Sequence, residues 1–228
     1  MITKIYFVRH AQPEHDHVDD RTRPLTRDGI SDSKIVVEIL KDKKINAFYC
    51  SPYKRNLDTI RETADYFKMQ IQTDERLRER EKGIYGNNHG MFQKRWADHD
   101  YHEAGGESIR MVQERNIEAL KEILENHHGE NVVIGTHGTA LSSIMNYYIP
   151  TFGCEDFLRI IDWMPYVVEM DFDGQNLIDT YEHGHIEKEF NGKERADKQY
   201  AGGQVNAWNL FQRNRKFKVC VRSILKGI

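Results

Sequence analysis

Three short apolar runs in this 228-residue sequence each end in a residue suited to holding or attacking a phosphate. Ile2 to Val8 runs into Arg9-His10. Ile45 to Cys50 runs into Ser51-Pro52, with Arg55 three residues on. Asn131 to Thr136 runs into His137, Gly138 and Thr139. Two guanidinium groups and two imidazoles repel one another in one pocket unless an anion joins them, and a phosphoryl group does that. Each arginine can offer a two-pronged fork to phosphate oxygens, and fixed positive charge stabilises both the dianion and the transition state. A neutral His10 can then attack phosphorus in line, and a protonated His137 would neutralise charge developing on the equatorial oxygens. The departing alkoxide needs a proton, which a carboxylic acid beside the phosphate can give. Glu79, in Leu77-Arg78-Glu79-Arg80, is the best candidate, with Glu75 and Glu81 close by. Water attacking the phosphohistidine would use the same carboxylate as base, so the scheme needs no metal and no other cofactor.

These residues must be carried by elements that bring the three junctions together. Ile2–Val8, Ile45–Cys50 and Asn131–Thr136 read as buried strands. Thr26 is expected to cap a helix running to about Leu40. Ser51 is expected to cap a second helix that carries Pro52 in its first turn and ends near Phe67. Gly138 opens another, after a helix over about Glu107 to His127. Phe157–Asp162 and Tyr166–Phe172 read as further strands, with Asp173-Gly174 as a hairpin turn. Such alternation predicts an α/β fold: a three-layer α/β/α sandwich with a mainly parallel central sheet and helices on both faces. Ligands in such sheets bind outside the carboxyl ends of the strands, where helix N-termini favour anions. Gly138 and Thr139 are therefore expected at the phosphate. Gln12 and Thr26 are expected to shape the substrate end, with Glu14, Arg21 and Arg23 nearby. Residues 71 to 106 are irregular and rich in charge, glycine and histidine, and Phe92, Trp96 and Tyr101 there fit either a lid or packing against the core.

Composition narrows the class. The length suits one domain over 1–228, whose last forty or so residues, from about 185, turn polar and then basic, with Arg213, Arg215, Lys216, Lys218, Arg222 and Lys226. A formal charge of −3 predicts no general attraction to nucleic acid or to an anionic membrane, and no apolar run reaches a membrane-spanning length. The N-terminal residues do not read as a secretory signal, and Cys50, Cys154 and Cys220 form no CxxC pair, so a cytoplasmic protein with reduced thiols is expected. His15 with His17, His99 with His102 and His127 with His128 invite a metal reading. No second matching pair supports it, and loop histidines are the better account.

Taken in order, the motifs resemble those of the histidine phosphatase superfamily, also called the phosphoglycerate mutase-like family. Arg9-His10-Ala11 resembles its opening RHG signature, with alanine for the usual glycine. Leu25-Thr26-Arg27-Asp28-Gly29 resembles LTxxG, and Ser51-Pro52-Tyr53-Lys54-Arg55 resembles SPxxR. Leu77-Arg78-Glu79 with Gly83-Ile84-Tyr85-Gly86 resembles the acid/base stretch, Gly106-Glu107-Ser108 the GES element, and Thr136-His137-Gly138 the second histidine. The resemblance spans about residues 2 to 140. It implies His10 as nucleophile, Arg9, Arg55 and His137 as phosphate ligands, Glu79 as proton donor, and main-chain amides near Thr139 on the phosphate.

The activity it implies is metal-independent hydrolysis of a small phosphorylated substrate. A cofactor-dependent phosphoglycerate mutase is the alternative. Against it, only 57 residues separate Glu79 from His137, which is short for the insertion of mutases, and no Glu-Ser follows the nucleophile segment. Gly138 stands where the acid-phosphatase branch has aspartate. A non-catalytic module that binds a phosphorylated ligand is the reading from another class, and the presence of all five chemical residues counts against it. Exposed edges of such sheets can also support a homodimer.

Overall fold

The computed structural model describes residues 1–84 and 91–188. Tyr85, Gly86, Cys220 and the basic stretch from Arg213 lie outside the described residues. In chain order the elements are β1 (Ile2–Arg9), α1 (Arg27–Asp32), α2 (Lys34–Leu40), β2 (Ala47–Cys50), α3 (Lys54–Tyr66), β3 (Ile71–Thr73) and a 3-10 turn (Glu75–Leu77). There follow α4 (Met91–Ala97), α5 (Ile109–Asn126), β4 (Asn131–Thr136), α6 (Gly138–Tyr148), α7 (Cys154–Ile160), β5 (Trp163–Asp173) and β6 (Asn176–Glu187).

The strands form one sheet in the order β3-β2-β4-β1-β5-β6. The β3/β2, β2/β4 and β4/β1 pairs are parallel, while β5 joins β1 antiparallel and β6 joins β5 antiparallel through a turn at Gly174-Gln175, one residue later than expected. β1 shows why its sequence is apolar without alternation. Successive side chains of a strand point to opposite faces, and here both faces are covered. Ile5 and Phe7 join Leu120, Ile123, Leu141, Ile144 and Phe157 on the side of α5, α6 and α7. Tyr6 and Val8 join Val36, Leu40, Ile60 and Ala64 on the side of α2 and α3. Each such aliphatic or aromatic side chain, fully withdrawn from water, contributes about 1.5–3 kcal/mol.

Three expectations need correction. Residues 157–162 do not form a strand: Phe157, Leu158 and Ile160 lie on the buried side of α7. A short apolar run cannot reveal its period. What decides for helix is the first turn, where Asp156 accepts the amide of Gly153 at 3.0 Å. The helix after Thr26 is broken at Ser33, whose hydroxyl donates to Ile30 O at 2.8 Å and competes with the regular ladder. Thr26 does cap α1, accepting from Gly29 N at 2.9 Å. The third correction concerns Ser51. α3 begins at Lys54 with Tyr53 as its extended N-cap residue, and the Ser51 hydroxyl accepts from Tyr53 N at 3.3 Å and from His137 Nε2 at 2.8 Å.

One glycine fixes how closely α1 approaches the first junction. A Cβ on Gly29 would stand 2.3 Å from Gln12 O, so only a residue without a side chain lets α1 lie on the segment that follows His10. Two aromatic residues of the middle segment pack against the core: Trp96 is buried with Phe152 and Phe157, and Phe92 stands 5.2 Å from Phe157.

Candidate active site

The parallel order β2-β4-β1 places the three expected junctions side by side at the carboxyl ends of the strands. His10 N donates to Thr136 O at 3.1 Å, which extends the β1/β4 ladder by one residue. Ala11 N donates to Thr59 Oγ1 at 2.9 Å, and that hydroxyl donates to Arg55 O at 2.7 Å, so α3 pins the turn carrying His10. His10 and His137 are both buried, with ring centroids 5.4 Å apart and planes inclined at 70°.

Hydrogen bonding fixes the tautomer of each ring. His10 Nδ1 lies 2.8 Å from Ala11 O. A carbonyl only accepts, so Nδ1 carries the proton and Nε2 keeps the lone pair. His137 Nδ1 lies 3.1 Å from Arg55 Nη2, which only donates; its lone pair is therefore on Nδ1, and Nε2–H donates to Ser51 Oγ at 2.8 Å. Burial, then the Arg55 and Arg9 charges, hold His10 well below the ordinary value of 6.5. Burial, then Arg55 and His10, do the same for His137. Both rings are neutral here, His137 included.

Neutral buried histidines make folding stability depend on pH. Between the depressed folded value and 6.5 the unfolded chain binds protons that the folded chain refuses. Their contribution is complete above pH 6.5 and is lost as pH falls below it. Urea unfolding between pH 7.5 and 5 should show stability falling with acid, with a shallower slope in His137→Gln. Equal slopes in the two proteins would refute this assignment.

The cations are held by main-chain oxygens. Arg55 Nη1 donates to Asp20 O at 2.6 Å, and its guanidinium carbon lies 4.9 Å from the centre of the Tyr53 ring. Tyr53 is buried and also meets His137 edge-on at 5.1 Å. Arg9 donates from Nη1 to Ile160 O at 2.6 Å and from Nη2 to Ile161 O at 2.9 Å, at the carboxyl end of α7, where exposed carbonyls favour a cation. A Cβ on Gly138 would stand 3.2 Å from Arg9 Nη2, so this guanidinium lies directly against the start of α6.

Glu79 reaches the same place from the opposite side. Its Oε2 accepts from Thr139 N at 3.1 Å and its Oε1 from Arg80 N at 2.8 Å. The amide expected to face a phosphate thus already donates to a carboxyl oxygen, at the N-terminus of an 11-residue helix, where an anion is favoured. His10, Arg9, Arg55, His137 and Glu79 converge, with Gly138 and Thr139 among them. Gln12 and Thr26 meet each other beside the His10 turn, Thr26 Oγ1 donating to Gln12 Oε1 at 3.2 Å. Among the described residues, no group of three or more His, Cys, Asp or Glu is arranged to hold a metal ion.

Sequence reasoning missed Asp20, Tyr53 and Arg115. Asp20 acts mainly through a carbonyl, which any residue possesses. Arg115 sits in a charged helix and carries no local sign of its contacts. The pairing of Ser51 with His137 was also hidden, since an N-cap role explained the serine equally well.

The geometry is one that can hold and transfer a phosphoryl group, on a doubly covered α/β sheet, and comparison with known proteins gives the family. The description of the histidine phosphatase superfamily (branch 1) matches residues 5–174. The chain belongs to that superfamily, and it is a phosphatase. Over 153 residues it is 26% identical to phosphoserine phosphatase 1 of Hydrogenobacter thermophilus, covering 60% of this chain and 71% of that protein. It is 26% identical over 163 residues to a metal-independent phosphoserine phosphatase of Arabidopsis thaliana, covering 63% and 67% of the two chains. Among solved structures it is similar to Bacillus stearothermophilus YhfR, with a TM-score of 0.65, 27% identity, and 77% of this chain and 94% of that one covered.

Proposed function

We propose that the chain hydrolyses a small alkyl phosphate, with O-phosphoserine as the leading substrate, through a phosphohistidine on His10. The observation that carries this reading is the His10 Nδ1–H bond to Ala11 O, which leaves Nε2 as an unprotonated nucleophile in a buried, neutral ring. Nε2 forms a bond to phosphorus as the ester P–O bond breaks, and protonated Glu79 delivers its proton to the leaving oxygen. Arg9, Arg55 and His137 hold the transferring oxygens. A phosphate dianion beside the rings offsets the Arg55 charge, which adds to burial in keeping His137 neutral. Glu79, now a carboxylate, takes a proton from water as that water attacks phosphorus, and His10 leaves with its lone pair restored. Phosphoserine is suggested by the names of the two relatives, each about a quarter identical. The buried thiol of Cys50 suits a cytoplasmic setting.

The test is phosphate release in EDTA from O-phosphoserine, p-nitrophenyl phosphate and 3-phosphoglycerate, the last with and without 2,3-bisphosphoglycerate and scored for isomerisation. Release with the highest kcat/KM on O-phosphoserine is the expected result. A preference for another alkyl phosphate would replace the substrate and keep the mechanism. Isomerisation without release would make the protein a mutase, and stoichiometric binding without turnover a binding module.

A further inference from the structure

We propose that Arg115 is a positioning residue that aims the Glu79 carboxyl at the leaving oxygen, an inference that rests on Glu79 being the proton donor. Arg115 lies on α5, in the layer beside the sheet, and its guanidinium uses every N–H it has. Nη1 donates to Arg76 O and to Arg78 O, both at 2.7 Å. Nη2 donates to Glu79 O at 3.1 Å and to Glu107 Oε2 at 2.9 Å, and Nε donates to Glu107 Oε1 at 2.9 Å. Glu107 in turn accepts from Glu81 N at 2.9 Å and from Arg78 Nη2 at 2.8 Å. Arg115 and Glu107 together therefore grip the main chain at Arg76, Arg78, Glu79 and Glu81, on both sides of the residue whose carboxyl reaches Thr139 N.

The energetic case follows from the donors. This stretch belongs to no helix or strand ladder beyond the 3-10 turn at Glu75–Leu77, so its carbonyls depend on partners from elsewhere. Arg115 supplies them to three residues within a span of four. Its side chain is 13% exposed, and bonds from a charged donor are stronger and more directional than neutral ones. Proton transfer requires the acid within hydrogen-bond reach of the leaving oxygen, so play in this arm costs rate at that step before it costs binding. Lysine keeps the charge but offers one point with three donors. It cannot span three carbonyls and a carboxylate at once.

The readout is the dependence of kcat/KM on the leaving group. An alkoxide must be protonated as it departs, whereas p-nitrophenolate leaves without help. We would measure kcat/KM on O-phosphoserine, or another alkyl phosphate that the wild type hydrolyses, and on p-nitrophenyl phosphate. The proteins are the wild type, Glu79→Gln, Arg115→Lys and Arg115→Met, each checked by thermal unfolding. Loss of a positioned general acid costs about 10²–10⁴-fold, so the alkyl-to-aryl ratio should fall about 100-fold or more in Glu79→Gln. It should fall at least about 10-fold in both Arg115 variants. A ratio unchanged in the folded Arg115 variants, with Glu79→Gln selective, overturns the role of Arg115 alone. A ratio unchanged in Glu79→Gln removes the proton-donor reading and this inference with it. Failure of both Arg115 variants to fold would make the residue a structural one and would equally overturn the inference.

Discussion

Replacing His10 with alanine is expected to lower kcat/KM for phosphate release by at least about 10⁴-fold, since removing the nucleophile of a concerted site abolishes nearly all of its advantage. The variant should fold, because the ring makes a single hydrogen bond, to its neighbour Ala11, and the turn around it is held by Thr59 and Thr136 through main-chain atoms. Stopped reactions with labelled substrate would show phosphate covalently attached to the wild type and none on the variant. Activity within tenfold of wild type would place the nucleophile elsewhere, and His137 would be the first alternative to examine. That alternative is the weaker one on geometry: the lone pair on His137 Nδ1 is already taken by Arg55, and its other nitrogen faces Ser51.

The largest effect on stability is expected from Glu103→Gln. Glu103 is buried between two buried arginines, accepting from Arg95 Nε at 3.0 Å and Nη2 at 2.5 Å, with Arg80 Nη1 at 3.5 Å from its other oxygen. Arg80 also donates to Glu81 O at 2.9 Å and Glu107 O at 3.0 Å, so this ion cluster joins α4 to the arm that carries Glu79. Glutamine keeps the volume and removes the negative charge that stands between the two guanidinium groups. Breaking a buried ion pair in this way costs about 3–5 kcal/mol. Burial alone would raise the Glu103 carboxyl, but the Arg95 hydrogen bond, a main-chain hydrogen bond and the charges of Arg95 and Arg80 together outweigh it, and the group is held below its ordinary value. Its contribution is thus present above that ordinary value and fades as acid protonates it. Urea unfolding at pH 7.5 would measure the loss, and a change under about 1 kcal/mol would show that the cluster does not depend on the Glu103 charge.

The parts legible in the sequence are those where one local rule acts alone. Asn131–Thr136 is both the expected and the observed strand, because a run buried on both faces is apolar throughout and Gly138 marks where the chain turns. The junction residues His10, Arg55 and His137 could be placed together because parallel strands deliver their carboxyl ends to one edge. α7 was misread because its apolar residues fit a strand as well as a helix, and the deciding contact, Asp156 with Gly153 N, is a capping detail. The break at Ser33 and the start of α3 beyond Ser51 each involve a serine hydroxyl with several partners available, and only the folded chain selects among them. Arg115 was out of reach for a deeper reason. Its partners are carbonyls from a segment nearly forty residues away, and a carbonyl leaves no mark in the sequence.

The separation between the sheet and the arm has a consequence for descent. The groups that would meet phosphorus are set on strand ends and the helices behind them, while the acid comes on a loop clamped from outside by α5. A lineage can therefore revise residues 71 to 106 and so change which alcohol departs, while inheriting the attack on phosphorus intact. New substrates would be gained by altering the clamp and the arm, and the ancestral nucleophile would not need to be invented twice.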